Sequence, residues 1–184
     1  MRSEYSIAVA LAICFLCGTA SAQESGGAGL TLAYPVSVGI VWPVSKTLAL
    51  RPEVTGAVRS SESTLTSGTG NTTPNGSSDS RSLGVGLSVL FCVRQWDALR
   101  AYVVPHFAYT RSTTTGVTDN VVSEYAVTGS LGFEYAFSRR FAIFAELGAE
   151  YDRQKGSGTI AAGVLDTTTS TVGPKSGIGA IVRF

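Results

Sequence analysis

The side chains in this 184-residue sequence that could carry chemistry are few, and they begin with His106, the only histidine. One imidazole excludes a histidine metal cluster and a two-histidine mechanism. A Ser-His-Asp arrangement would need a serine and a carboxylate held against His106, and no spacing nominates either. Glu146 and Glu150 would share a face of a helix. On a strand they also share a face, but about 13 Å apart, too far for a glycosidase pair. The chain carries no CxxC, HExxH, GxSxG or phosphate-loop pattern. It is therefore expected to have no enzymatic activity, no metal and no cofactor. Asn71-Thr72-Thr73 and Asn75-Gly76-Ser77 match the N-glycosylation pattern, which a Ser/Thr/Asn-rich segment produces by composition alone.

The elements that must hold these groups follow from hydropathy patterning. Residues 1–22 have Arg2 in a short polar start, an apolar run from Ile7 to Leu16 and a small-residue end at Ala20-Ser21-Ala22. This is the pattern of a secretory signal peptide cleaved before Gln23, and the apolar run is too short to span a bilayer. Cys14 and Cys17 leave with it, so Cys92 remains alone and no internal disulfide can form. The remainder, residues 23–184, reads as one domain of period-two segments. Leu30, Leu32, Tyr34, Val36, Val38, Ile40 and Trp42 alternate with small or polar residues. So do segments from Leu48 to Val58, Leu83 to Val93, Val103 to Tyr109, Tyr125 to Phe137, Phe141 to Tyr151 and Ile178 to Phe184. Short connections alternate with long ones. The long ones, residues 60–81, 112–120 and 153–171, are poor in apolar residues and are predicted to be open surface loops.

Three features decide where the apolar face points. The segments are about 12 residues long, close to the 9 to 11 that cross a bilayer at a tilt. Aromatics cluster at segment ends, with Trp42, Phe91, Tyr135, Phe137 and Phe141 by the short turns and Tyr109, Tyr125 and Tyr151 by the long connections. Charges within segments, including Arg51, Glu53, Arg59, Arg94, Glu134 and Glu146, fall on the opposite parity from the apolar residues. Lipid contact enforces such segregation, because an Arg or Lys at the midplane costs about 2–4 kcal/mol. Composition agrees: 44% of residues are hydrophobic and only 15% charged, against about 25% charged in a soluble domain. With 14 Lys and Arg against 13 Asp and Glu, the net charge of +1 leaves no footprint for nucleic acid. The fold class expected is all-β, a closed antiparallel up-and-down transmembrane β-barrel. Counting from the short turns places Arg51, Glu53, His106 and Glu146 at similar depth inside it. Ionised groups in a narrow lumen must be paired or hydrated, so an ion-pair network is predicted there.

The leader, the amphipathic segments and the terminal Gly177-Ile178-Gly179-Ala180-Ile181-Val182-Arg183-Phe184 together resemble the small outer-membrane β-barrel proteins of the OmpA/OmpX type. The resemblance covers nearly all of Gly29 to Phe184. It implies a Gram-negative outer membrane, about eight strands, short periplasmic turns and long surface loops. It also implies that Phe184 ends a strand read by the outer-membrane assembly machinery, with membrane lipid as the surrounding partner and an extracellular ligand possible at the loops. Seven segments are clear where such barrels have an even number. The eighth would hide near residues 159–165 or near the N-terminus, or closure would use another chain. The function expected is a structural or surface-interaction role around a narrow charged lumen. A porin for ions or small solutes, and a secreted soluble barrel binding a hydrophobic ligand, are the alternatives.

Overall fold

Eight antiparallel strands close into a ring, and the eighth strand comes from the first hydropathy segment. Residues 27–66, 72–115, 120–160 and 163–184 are described by a computed structural model, and the predicted leader, residues 1–22, lies outside them. The strands are β1 (Gly29–Tyr34), β2 (Ser37–Pro43), β3 (Leu48–Thr66), β4 (Thr72–Gln95), β5 (Leu99–Thr115), β6 (Asn120–Ala136), β7 (Phe141–Ile160) and β8 (Gly163–Arg183). Each pairs with its neighbours in sequence, and β1 pairs with β8 to complete the barrel. The segment from Leu30 to Trp42 is two strands, folded back at Pro35-Val36 so that Ala33 faces Ser37 and Leu32 faces Val38. The strand count is therefore even, and Gly29 lies beside Arg183, with both ends of the barrel chain at the short-turn rim.

The register fixes the barrel's stagger. Starting at Leu32, the row of partners runs through Val38, Val54, Val85, Tyr109, Tyr125 and Arg153 to Ser170 on β8. Leu32 itself pairs with Ala180, so one circuit climbs ten residues. Such a shear requires the strands to tilt, typically by about 35–45° from the barrel axis. Backbone bonds close the short turns, among them Val44 N to Leu48 O at 2.9 Å and Phe137 N to Phe141 O at 3.0 Å.

The period-two pattern sorts the side chains as the sequence requires. Leu87, Val127, Leu131, Phe133 and Leu147 face outward and are exposed, whereas Tyr102, Val104, Ala142, Phe144 and Ile181 point inward and are buried. An outward belt of this kind is stable only against hydrocarbon, since a water-facing surface with so many large apolar groups would associate. Aromatic contacts mark its edges: Tyr109 stacks on Tyr125 with ring centroids 5.0 Å apart, and Phe137 meets Tyr135 and Phe141 at 5.0 and 5.9 Å at the other rim.

Two expectations are corrected. Residues 60–81, 112–120 and 153–171 were expected as open loops, yet the ladders continue into all three: Ser60 faces Asp79, Ser112 faces Val122 and Lys155 faces Thr168. Beyond the apolar belt both faces of a strand meet water, so hydropathy stops alternating while β-branched threonines still suit extended backbone. Arg94, expected among the inward charges, is exposed and sits over the Trp96 ring at 5.2 Å. A register shift between Cys92 and Arg94 removes it from the inward row.

Candidate functional site

The barrel interior is crossed at mid-depth by the four groups singled out in the sequence. Arg51 and Glu53 are two apart on β3 and therefore point the same way. The row that carries Arg51 pairs it with Ser88 on β4, and Ser88 with His106 on β5. Glu146 reaches in from β7 on the other side of the lumen.

The Arg51 guanidinium is the centre of this cluster. Its Nη1 and Nη2 donate to the two carboxylate oxygens of Glu146 at 2.6 and 3.0 Å, the bidentate geometry in which arginine–carboxylate pairs are strongest. Its Nε donates to Glu53 Oε1 at 3.2 Å, and Nη2 also donates to Ser88 Oγ at 3.2 Å. The Ser88 hydroxyl donates its single proton to Glu53 Oε1 at 2.7 Å. The 2.9 Å contact between Ser88 Oγ and His106 Nδ1 must therefore be donated by the imidazole, which assigns a proton to Nδ1. Arg51 further stacks on the Phe144 ring, 5.0 Å from its centroid. Every donor of this buried cation that faces the cluster has an acceptor, the condition under which a charge is tolerated away from water.

Below the cluster, Phe144 and Tyr102 fill the cross-section. Gly179 and Gly132 make room for them: a Cβ on Gly179 would lie 2.5 Å from the Phe144 ring, and one on Gly132 would overlap the Tyr102 ring. The Tyr102 hydroxyl is buried without a hydrogen-bond partner. Two further ion pairs flank the plug. Arg183 donates to Glu134 toward the short-turn rim, and Lys175 donates to Glu150 at 2.8 Å toward the long-hairpin side, where Thr128 also donates to Glu150 at 2.9 Å. Glu146 and Glu150 thus serve different cations. Among the described residues, a space of about 40 Å³ lies below the plug, lined by Leu90, Tyr102 and Glu134, and one of about 120 Å³ lies above it, lined by His106, Ala108, Thr128 and Lys175.

Arg51, Glu53, His106 and Glu146 are brought within hydrogen-bonding distance of one another or of a shared serine. Ser88 is the member that sequence reasoning missed. A serine following Gly84 and Gly86 on the inward parity of its own strand has no distinguishing signal by itself, but the register of β3, β4 and β5 puts it between Arg51 and His106. Phe184, at the end of the last strand, is exposed, with its backbone nitrogen bonded to Ala28 O at 3.2 Å. Among the described residues, no group of three or more His, Cys, Asp or Glu side chains is placed to hold a metal ion.

No protein-family model and no curated protein matches the chain. Solved structures do. The major outer membrane protein of Thermus thermophilus superposes with a TM-score of 0.51 at 14% identity, over 85% of this chain and 99% of that one. Acinetobacter baumannii CarO2 and CarO give TM-scores of 0.42 at 11% and 14% identity, each over 86% of this chain and 97% of theirs. Identity this low speaks to architecture alone. By its eight antiparallel strands, its closed ring and its outward apolar belt, this chain has the fold of the small outer-membrane β-barrels.

Proposed function

We propose that this chain is exported to a Gram-negative outer membrane and acts there as a non-enzymatic barrel whose lumen is shut by its own side chains, in a structural or surface-interaction role. The observation that carries the reading is the Arg51 cluster. A bidentate pair to Glu146 from the opposite wall, tied to Glu53 and Ser88 and backed by Phe144, spans the lumen where a conducting path would have to pass. Rows of carboxylate and guanidinium held by several bonds each rigidify a small barrel rather than line a water column. The protruding hairpins of β3–β4, β5–β6 and β7–β8, rich in Ser and Thr, are the surface offered to an extracellular ligand. The terminal Phe184 fits recognition by the assembly machinery during insertion.

The experiment is conductance of the purified protein in planar bilayers. The intact barrel is expected to give no stable channel. Arg51→Ala, which removes the cross-lumen tie, is expected to give discrete openings. Stable, cation-selective conductance from the unaltered protein would overturn the reading in favour of a porin for ions or small solutes. Recovery of the folded protein in the aqueous phase without detergent would instead favour a secreted soluble barrel with a hydrophobic ligand.

A further inference from the structure

β1 and β2 are too short to complete the wall. β1 climbs five residue steps from Gly29 to Tyr34, while the girdle residues Phe141 and Tyr151 on β7 stand ten steps apart. The pairing of β8 to β1 ends at Ile178, and that of β3 to β2 ends at Thr55. Above these points, among the described residues, β3 and β8 have no strand between them. On β8 the free edge from Gly177 to Gly173 ends below Val172, which pairs with the girdle residue Tyr151. That is about 17 Å of strand and roughly 12 Å of depth at a barrel's tilt, all within the apolar belt.

Three observations show the wall is open there. Inward and outward positions lose their difference on the β3 side, where every residue from Gly56 to Ser61 is exposed, whereas β4, β5 and β7 keep alternating above the same level; β8 still alternates from Gly173 to Gly177 and loses its alternation only above the gap. Proline placement agrees. Pro52 and Pro105 each coincide with an interruption in one flanking ladder, but Pro174 interrupts none, as expected if its nitrogen faces the side that has no strand. Finally, the upper cavity is bounded by this very turn, with Tyr34 and Pro35 at its border beside Thr55 and Gly177.

We propose that the gap is a lateral portal. Through it the single acyl chain of an anionic membrane amphiphile enters the upper lumen from the outer half of the bilayer, with its head held at Lys175 and His106. This rests only on the barrel's spanning a membrane, not on the structural role proposed above. Val58 and Val172, 79% and 74% exposed, flank the gap with apolar surface for the chain. Lys175, on the free edge of β8, has a side chain 41% exposed and supplies the charge for the head, competing with Glu150. The plug of Arg51, Glu53 and Glu146 forms the floor, so a chain entering sideways cannot continue to the far rim. Free edge groups on β3 and β8 are costly in hydrocarbon, and a polar head or accompanying water satisfies them.

The test is alanine-methyl NMR of the full barrel in dimyristoylphosphatidylcholine nanodiscs, with 5-doxylstearic acid, which carries its nitroxide close to the carboxylate head, as the probe. Ala145 faces outward and is the positive control; Ala142 faces inward beneath the plug and is the negative one. Ala57 at the gap and Ala108 on the opposite inner wall are expected to broaden several-fold more than Ala142. Lys175→Ala should weaken the effect at Ala108 several-fold while sparing Ala57. Inserting four residues on each side of Pro35-Val36 should lengthen the hairpin by about 13 Å, cover most of the gap and protect Ala108, with heat-dependent gel mobility verifying that each variant is folded. Broadening of Ala108 no greater than that of Ala142, or unchanged in the lengthened hairpin, overturns the portal. Broadening indifferent to Lys175→Ala overturns the placement of the head.

Discussion

Arg51→Met is the perturbation that most directly measures the plug. Methionine keeps an apolar stem against Phe144 but removes four donated hydrogen bonds, two to Glu146, one to Glu53 and one to Ser88. Charged hydrogen bonds are worth about 1.5–3 kcal/mol each, which would sum to far more than is lost, because the orphaned carboxylates take up protons or water. The relevant magnitude is that of breaking a buried pair from one side, about 3–5 kcal/mol, and both ends qualify: the Arg51 and Glu146 side chains are 6% and 13% exposed. Urea unfolding in lipid vesicles, followed by tryptophan fluorescence, reads this as a lowered midpoint at constant slope. Most of the loss comes from carboxylates left without their cation, so neutralising one should recover part of it. Arg51→Met with Glu146→Gln is therefore expected to be more stable than Arg51→Met alone, with a coupling energy of about 1–3 kcal/mol. Additivity of the two single changes within about 0.5 kcal/mol would show that the two groups do not act as a pair and would refute the plug.

Two other changes probe the two faces of the wall. Leu87→Arg places a guanidinium on an outward position near mid-depth, and unfolding in vesicles should show a loss of about 2–4 kcal/mol; a loss below about 1 kcal/mol would mean that lipid does not cover this face. Tyr102→Phe removes a buried hydroxyl that has no partner; its stability should stay within about 1 kcal/mol of the parent or rise, and a loss above about 2 kcal/mol would reveal an acceptor or water serving that oxygen.

The barrel's lateral sorting was legible because lipid and lumen impose opposite chemistry on alternate residues. Arg51, Glu53, His106 and Glu146 could be assigned to one interior and one depth from parity and turn positions alone. Their partners could not. Ser88 enters the cluster through pairing across three strands, and the split of Glu146 to Arg51 and Glu150 to Lys175 depends on a ten-residue stagger. Both are properties of register, which period-two hydropathy leaves undetermined to any even shift. The protruding hairpins were illegible for a related reason: outside the belt water bathes both faces, so Ser and Thr strands carry no alternation to detect.

The first segment shows how a pattern can be intact and still conceal a strand. In the β1–β2 hairpin every residue faces a partner of its own parity, Leu32 with Val38 and Ala33 with Ser37. Reversing the chain at Pro35-Val36 therefore leaves Leu30 to Trp42 alternating as regularly as one continuous strand would. Only proline at the bend marks the difference, and proline also occurs within β3, β5 and β8. Folding these residues back uses half the height a single strand would reach, which supplies the even count that closure requires and leaves the upper wall two strands short. The concealed turn and the lateral gap are thus one consequence of a chain that has residues enough for eight strands at the base of the belt but for six at its top.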